Sequence, residues 1–352
     1  MAKIKIKSLV INYFKGIKEL ALDFTYPNNT EKLLDNIVIY GVNGSGKSTI
    51  LEAIYLCLIV ASAYHEKNDL KRIEDFLVDY ISLGSEWIYN KEKEFHIVIE
   101  IIDHEKIKKG ELTYSQKEGL KWSIDHKLSS DFFGSFTYLS SYRLLNPSTV
   151  QSAGDWSEIE RIEDEAFRER TRYARSPRHP MYRRDNYFPS LSLQFENNYK
   201  TVKQYLVNLI TDKKVEAITS ENDAILEKIK QSFKIFFPKK DFLEQLSRTD
   251  NIKDYRLMIK NEDGSVVDLD QLSSGEREII AFFTFLCTKA ISNSILIIDE
   301  PELHLHSKWQ SILLYAIHQI FPNSQLFLAT HSSEIHQSAS ESELFELQKE
   351  EE

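Results

Sequence analysis

Gly41-Val-Asn43-Gly44-Ser45-Gly46-Lys47-Ser48-Thr49 follows the apolar run Ile37-Val-Ile-Tyr40 and precedes the largely apolar stretch Thr49–Ala63. A strand, a glycine-rich turn and a helix form the setting in which G-x-x-x-x-G-K-[ST] binds phosphate. Glycines let the backbone wrap so that successive N–H groups point inward, and the helix N-terminus adds its positive end. Lys47 then reaches the β- and γ-phosphates, and the Ser48 hydroxyl is placed to ligate Mg²⁺. With only 11 glycines among 352 residues, a chance glycine turn is a poor explanation. The stretch reads as a nucleoside triphosphate site lined by Gly41, Asn43, Gly44, Ser45, Gly46, Lys47, Ser48 and Thr49.

The bulk composition narrows the class. Apolar residues make up 42% and charged residues 28%, as in ordinary globular proteins. A formal charge of −10 argues against nucleic-acid binding by the whole surface, while leaving room for a local basic patch. Cys57 and Cys287 sit far apart within apolar helical patterns, as buried thiols do in a reducing cytosol. The first residues lack the apolar core of a secretion signal. The run from Ala53 to Ala63 is too short to span a bilayer and reads as a buried helix. A cytoplasmic protein without a membrane segment is expected.

Along the chain, Lys3–Phe24 alternates as a hairpin turning near Phe14-Lys15-Gly16. Tyr26–Thr30 reads as a loop, and Asn36–Tyr40 as the strand feeding the phosphate loop. Glu66–Tyr80 has a charged helical pattern. Phe95–Ile102, Leu112–Tyr114 and Leu120–Ile124 read as antiparallel strands, with Glu105–Gly110 as a turn. Phe132–Ser140 reads as another strand, ending at Ser141-Tyr142-Arg143. Residues 168–184 hold seven arginines against one acid, Glu169, with Pro177 and Pro180 breaking any helix. That segment reads either as a solvated loop or as an arm contacting nucleic-acid phosphates or a partner. Asn197–Ile218 and Glu221–Phe237 are amphipathic helices, and neither sustains three heptads. Tyr255–Val267 reads as a hairpin turning at Asn261–Gly264.

A second cluster follows. Leu272-Ser273-Ser274-Gly275-Glu276 opens the apolar helix Arg277–Ile291, and on its own is satisfied by a capping box between Ser273 and Glu276. Ile295-Leu-Ile-Ile-Asp299-Glu300 is an apolar strand ending in two carboxylates, at the strand tip where α/β sheets place their ligands. Asp299 would hold Mg²⁺ directly or through water, and Glu300 would orient or deprotonate the attacking water. Helix Ser307–Phe321 and strand Gln325–Ala329 lead to Thr330-His331-Ser332. A histidine at such a strand end is usually structural, but here His331 suits a γ-phosphate sensor.

The order of these motifs resembles the ABC-type ATPases. Leu272–Glu276 stands as signature, Asp299 and Glu300 as Walker B, and His331 as switch histidine. The opening Ile11-Asn-Tyr-Phe14-Lys15-Gly16, the sequence Glu300-Pro-Glu-Leu-His304-Leu-His306 and the long insertion resemble the RecF/SMC/OLD branch rather than transporters. The resemblance covers roughly residues 1–145 and 250–336. It implies an α/β ATPase head: a mixed sheet with a P-loop core, an antiparallel N-terminal sheet, and a helical insertion between Walker A and signature. It divides the chain into an N-terminal lobe (1–145), a helical and arginine-rich insertion (146–250), a C-terminal lobe (251–336) and an acidic tail (337–352).

The resemblance also implies ATP and Mg²⁺ as cofactors, and Lys15, Ser273 and Gly275 as further nucleotide contacts. Lys47, Glu300 and His331 would be the catalytic set, with Ser48 and Asp299 as metal ligands. Two copies would close head-to-tail around ATP as a homodimer or within a larger homo-oligomer. Ser274 departs from the two-glycine signature, and only Arg143 offers itself near the Q-loop position. Glu302, His304 and His306 form an alternative metal-like spacing that the resemblance disfavours. Without a recognisable nuclease motif, the chain looks like Septu-type, retron-associated or PARIS-type ATPases of anti-phage defence, which hold a separate nuclease or toxin. The alternative is a RecF/SMC-like DNA repair ATPase binding DNA, with Arg168–Arg184 as a candidate nucleic-acid contact.

Overall fold

The computed structural model describes residues 4–67, 87–89, 92–129, 132, 135–139, 199–214, 220–248, 255–289, 295–303 and 305–348. Strands β1 (Ile4–Phe14) and β2 (Ile17–Asp23) form the expected opening hairpin. Tyr26–Thr30, expected as a loop, instead carries the turn of a small hairpin between β3 (Thr25–Tyr26) and β4 (Asn29–Leu33). Strand β5 (Asn36–Gly41) feeds the phosphate loop, and α1 (Lys47–Lys67) leaves it.

Strands β6 (Glu94–Asp103), β7 (Lys106–Ser115) and β8 (Gly119–Ile124) complete an antiparallel sheet of order β2-β1-β6-β7-β8. The turn expected over Glu105–Gly110 is tighter than that. His104 and Glu105 alone make it, at φ of 49° and 67°, and Lys106–Gly110 belong to β7. Two left-handed residues match the twist of the flanking strands. Non-glycine residues in that role leave no turn signature in the sequence.

The second sheet runs β15-β5-β14-β13-β9, with β9 at Phe136–Leu139, β13 at Ile295–Asp299, β14 at Gln325–Thr330 and β15 at Leu344–Leu347. All its pairings are parallel, so the mixture expected of the fold lies between two sheets rather than within one. Strands buried on both faces read as unbroken apolar runs. Ile37, Ile39, Ile295, Ile297, Phe327 and Ala329 enter one core, while Val38, Leu296, Ile298, Leu326 and Leu328 enter the other.

Helix α1 lies in the first core, packed against strands of both sheets. That position explains its composition. Ile50, Leu51 and every residue from Ala53 to Ala61 are buried, the pattern of a helix that is apolar all round. No described helix is long and apolar enough to cross a membrane.

The other core is covered by α2 (Tyr199–Lys214), α3 (Ser220–Phe236), α4 (Ser274–Lys289) and, after the short α5 (Ser307–Gln310), α6 (Leu313–Ile320). The helix expected over Ser307–Phe321 is therefore broken, with Ile312 at φ −104° and ψ 0° between its halves. Strand β10 (Asp241–Arg248), not expected from the sequence, joins β11 (Tyr255–Lys260) and β12 (Val266–Asp268) in a small antiparallel sheet. Of residues 337–352, expected as an acidic tail, the described part, 337–348, is built into the head. It finishes α7 (Ser333–Ser338) and supplies β15, which pairs with β5 from Leu344↔Val38 to Leu347↔Gly41. The Glu66–Tyr80 pattern beyond Lys67, the Ser141–Arg143 strand end, the Arg168–Arg184 segment and His304 lie outside the described residues.

Candidate nucleotide site

The phosphate loop turns between Gly41, the last residue of β5, and Lys47, the first of α1. A Cβ on Gly41 would lie 2.4 Å from the Leu347 carbonyl oxygen of β15, so glycine is required there by a neighbouring backbone. Gly46 sits at φ +95°, in the left-handed region, with the Ile17 side chain 3.4 Å from where its Cβ would be. The hairpin turn of β1 and β2 therefore lies against the loop. Asn43 and Gly44 are exposed at the loop tip, and Ser45, Ser48 and Thr49 are half-buried. The Ser45 Oγ is buried without a hydrogen-bond partner among the described residues.

Lys47 is folded back onto its own loop. Its Nζ donates to the carbonyl oxygens of Gly41 at 3.0 Å and Val42 at 2.9 Å. Burial pushes its ammonium below the ordinary value of 10.5, and Glu300, Asp299 and Glu302 act in the opposite direction. Next to it, Ser48 Oγ donates to Asp299 Oδ1 at 3.1 Å. The parallel sheet makes that contact possible, since β5 and β13 flank β14 and end on the same side.

At the tip of β13 the chain turns sharply: Glu300 has φ +45°, and its N–H donates to the Ala329 carbonyl of β14 at 2.9 Å. A non-glycine residue in this region is strained and worth relating to a site. His331 follows β14, and its Nε2 lies 3.9 Å from Glu300 Oε1. Its backbone N–H donates to Glu302 Oε1 at 2.6 Å. Gln310 laces the same region, donating to the Leu305 carbonyl at 2.8 Å and accepting from Ser332 Oγ at 2.7 Å. Lys47, Ser48, Asp299, Glu300 and His331, predicted from separate motifs, are thus brought together. Glu302 and Gln310 join them. In the sequence Glu302 stood within the Glu300–His306 motif and in a metal-like spacing, with no role in the nucleotide site, and no group of three or more metal-binding side chains occurs among the described residues. His306 of that spacing caps α5 through the Lys308 N–H.

Lys15 and the Ser273 motif occupy other places. Lys15 Nζ is paired with Glu52 Oε2 at 2.6 Å and lies 4.2 Å above the Trp87 ring. Ser273 and Ser274 are exposed at the start of α4, and Gly275 is buried in its first turn. The capping box is formed: Ser273 N donates to Glu276 Oε2 at 2.9 Å, and Glu276 N to Ser273 Oγ at 3.3 Å. Burial raises the Glu276 carboxyl, but hydrogen bonds from Lys240 and Ser273 outweigh it and hold the group below its usual range. A formed box leaves the exposed Ser273 edge of α4 open to a further role.

The antiparallel sheet, buried α1 and parallel P-loop sheet make the ABC-type ATPase head fold. The SMC head domain from Thermotoga maritima shares it at a TM-score of 0.50 and 12% identity, covering 96% of this chain and 92% of that one. The Smc head domain with an extended coiled coil from Pyrococcus furiosus, bound to the C-terminal domain of ScpA, gives 0.50 at 16% identity over 98% and 94%. The chain belongs to the family "AAA domain, putative AbiEii toxin, Type IV TA system", which matches residues 37–335. It is an ABC/AAA-type ATPase of the RecF/SMC/OLD kind, related to defence ATPases. The retron Vc95 probable ATPase of Vibrio cholerae is 24% identical, over 94% of this chain and 71% of its own length. The retron Ec83 probable ATPase of Escherichia coli is 22% identical over 95% and 69%. Septu protein PtuA of Bacillus thuringiensis is 42% identical over 53 residues, which are 15% of this chain and 13% of PtuA.

Proposed function

We propose that this chain binds and hydrolyses MgATP, closes head-to-tail with a second copy around the nucleotide, and thereby controls a separate effector in anti-phage defence. The observation that carries the nucleotide reading is the 3.1 Å contact of Ser48 Oγ with Asp299 Oδ1. Two oxygen donors from two motifs suit a hard cation such as Mg²⁺. Ser48 and Asp299 would hold the ion, which would supply positive charge against the charge that develops in phosphoryl transfer.

The protein's own groups divide the remaining work. Inward N–H groups from Gly41 to Thr49 and the start of α1 hold the phosphates. Lys47 exchanges its two carbonyl partners for phosphate oxygens. Glu300 orients the attacking water and accepts its proton, while His331 contacts the γ-phosphate and Lys15 stays beside the loop. Ser273 and Gly275 of one copy cap the nucleotide held by the other. The retron relatives support a defence setting; in this reading the controlled partner is a nuclease or toxin, and the arginines of residues 168–184 contact a polyanion. Glu300→Gln tests the assignment: the variant should bind ATP as the wild type does and trap it unhydrolysed. Hydrolysis at the wild-type rate would remove Glu300 as base.

A further inference from the structure

Glu302 has no role in the reading above, yet its carboxylate sits within the site. Oε1 accepts the backbone N–H of His331 at 2.6 Å, so a side chain from the β13 turn holds the first residue beyond β14. Oε2 is buried and has no hydrogen-bond partner among the described residues. A buried, unpaired carboxylate oxygen is costly and calls for an explanation. The surroundings offer one. Lys47 lies within the electrostatic reach of Glu302, as it does of Glu300 and Asp299. The same turn is tied down by Gln310 and brings Glu300 to 3.9 Å from His331.

We propose that Glu302 is a positioning residue for hydrolysis: Oε1 fixes His331 at its approach to Glu300, and Oε2 is the acceptor held open for a proton donor arriving with the nucleotide. A neutral amide reproduces the size of the side chain and one acceptor. It lacks the charge that strengthens the hydrogen bond to His331, and it offers only one oxygen for two tasks. This inference rests on the hydrolytic reading of Glu300 and His331.

The test compares steady-state ATP hydrolysis, ATP affinity and thermal unfolding of the full chain as wild type, Glu302→Gln, His331→Ala and the double variant. Glu302→Gln should lower kcat by about tenfold or more, the scale of a lost charge-assisted hydrogen bond, with KM and Tm little changed. Added to His331→Ala, it should cost much less than it does alone, because it acts largely through that residue. A wild-type kcat in Glu302→Gln, a loss that tracks a fall in Tm, or full additivity with His331→Ala would each overturn the proposal. Glu300→Gln separates this from failure of the wider reading. If Glu300→Gln traps ATP while Glu302→Gln is normal, only the role of Glu302 falls. If Glu300→Gln hydrolyses normally, the hydrolytic site itself is misassigned.

Discussion

Lys203 Nζ lies 2.5 Å from Asp270 Oδ2, joining α2 of the insertion to the turn that precedes Ser273. The lysine side chain is only 2% exposed, and its charge is compensated by this partner and by Asp268 at 4.0 Å. Asp268 in turn caps the same short turn by accepting the Asp270 N–H. One buried ion pair and its cap therefore tie α2 to the turn that leads into α4.

Removing one partner of a buried pair leaves an uncompensated charge, which costs about 3 kcal/mol where the other partner keeps some solvent. Asp270→Leu should lower the urea midpoint accordingly. Lys203→Met combined with Asp270→Leu should recover much of the loss, since an apolar pair carries no stranded charge. Equal midpoints for the wild type and Asp270→Leu would show that the pair contributes nothing to stability.

Gly41 yields a second expectation. An alanine methyl there would meet the Leu347 backbone carbonyl at 2.4 Å, and both residues lie in paired strands. The loop must shift for the methyl to fit. Gly41→Ala should keep its circular dichroism spectrum and lose about tenfold or more in ATP affinity, because displaced N–H groups no longer converge on phosphate. Titration with a fluorescent ATP analogue would expose an unaltered affinity, and with it an error in the packing of β15 on the loop.

The end of the sheet that carries the candidate site was readable because buried parallel strands are written as uninterrupted apolar runs. Ile295–Ile298 are all fully buried, so the acids that follow could only lie at the strand tip. Strand β15 was not readable. It is an edge strand whose Leu344, Phe345 and Leu347 are only half-buried and whose surroundings are rich in Ser and Glu, so it carries the composition of a tail. Lys203 and Asp270 are 67 positions apart and share no local pattern. Glu302 was quoted in its motif, but its bond to His331 exists only once β13 and β14 are side by side.

His318 gives the expected pH dependence. Burial holds its imidazole below the ordinary 6.5, against the pull of Asp35 and Glu343 and with the help of Lys5. Its Nε2 is 2.5 Å from Asn36 Oδ1 at the start of β5, a contact suited to a neutral ring donating to an amide oxygen. With the folded value depressed, the unfolded chain binds the extra proton as pH falls through 6.5, and stability drops until the folded value is reached. His318→Gln keeps a donor without the titration. Urea midpoints measured over roughly pH 5.5 to 7.5 should slope less in the variant than in the wild type. Parallel slopes would assign the pH dependence to other groups.

The head-to-tail dimer is the expectation with most at stake, and Ser273 tests it. The phosphate loop and the start of α4 are both helix N-termini offering N–H groups to an anion. The loop joins β5 to α1, while Ser273 and Ser274 are exposed at the start of α4 in the α2–α4 layer. In the proposed closed state, Ser273 and Gly275 of one copy meet the γ-phosphate held by Lys47 of the other. ATP then favours closure by contacts made only in that state, and hydrolysis releases it. Ser273→Arg should leave ATP affinity within a few-fold of wild type, since the loop is untouched, and reduce turnover by about a hundredfold by blocking closure. Lys47→Ala should bind no ATP, because the loop loses its cation. Neither variant alone should hydrolyse, but a mixture forms dimers in which one site pairs an intact loop with an intact Ser273 motif. That mixture should regain part of the ATPase activity, or ATP-dependent dimerisation in light scattering if both sites must fire together. Normal hydrolysis by Ser273→Arg alone would reduce the motif to the capping box it forms with Glu276, and the two-copy site would have to be given up.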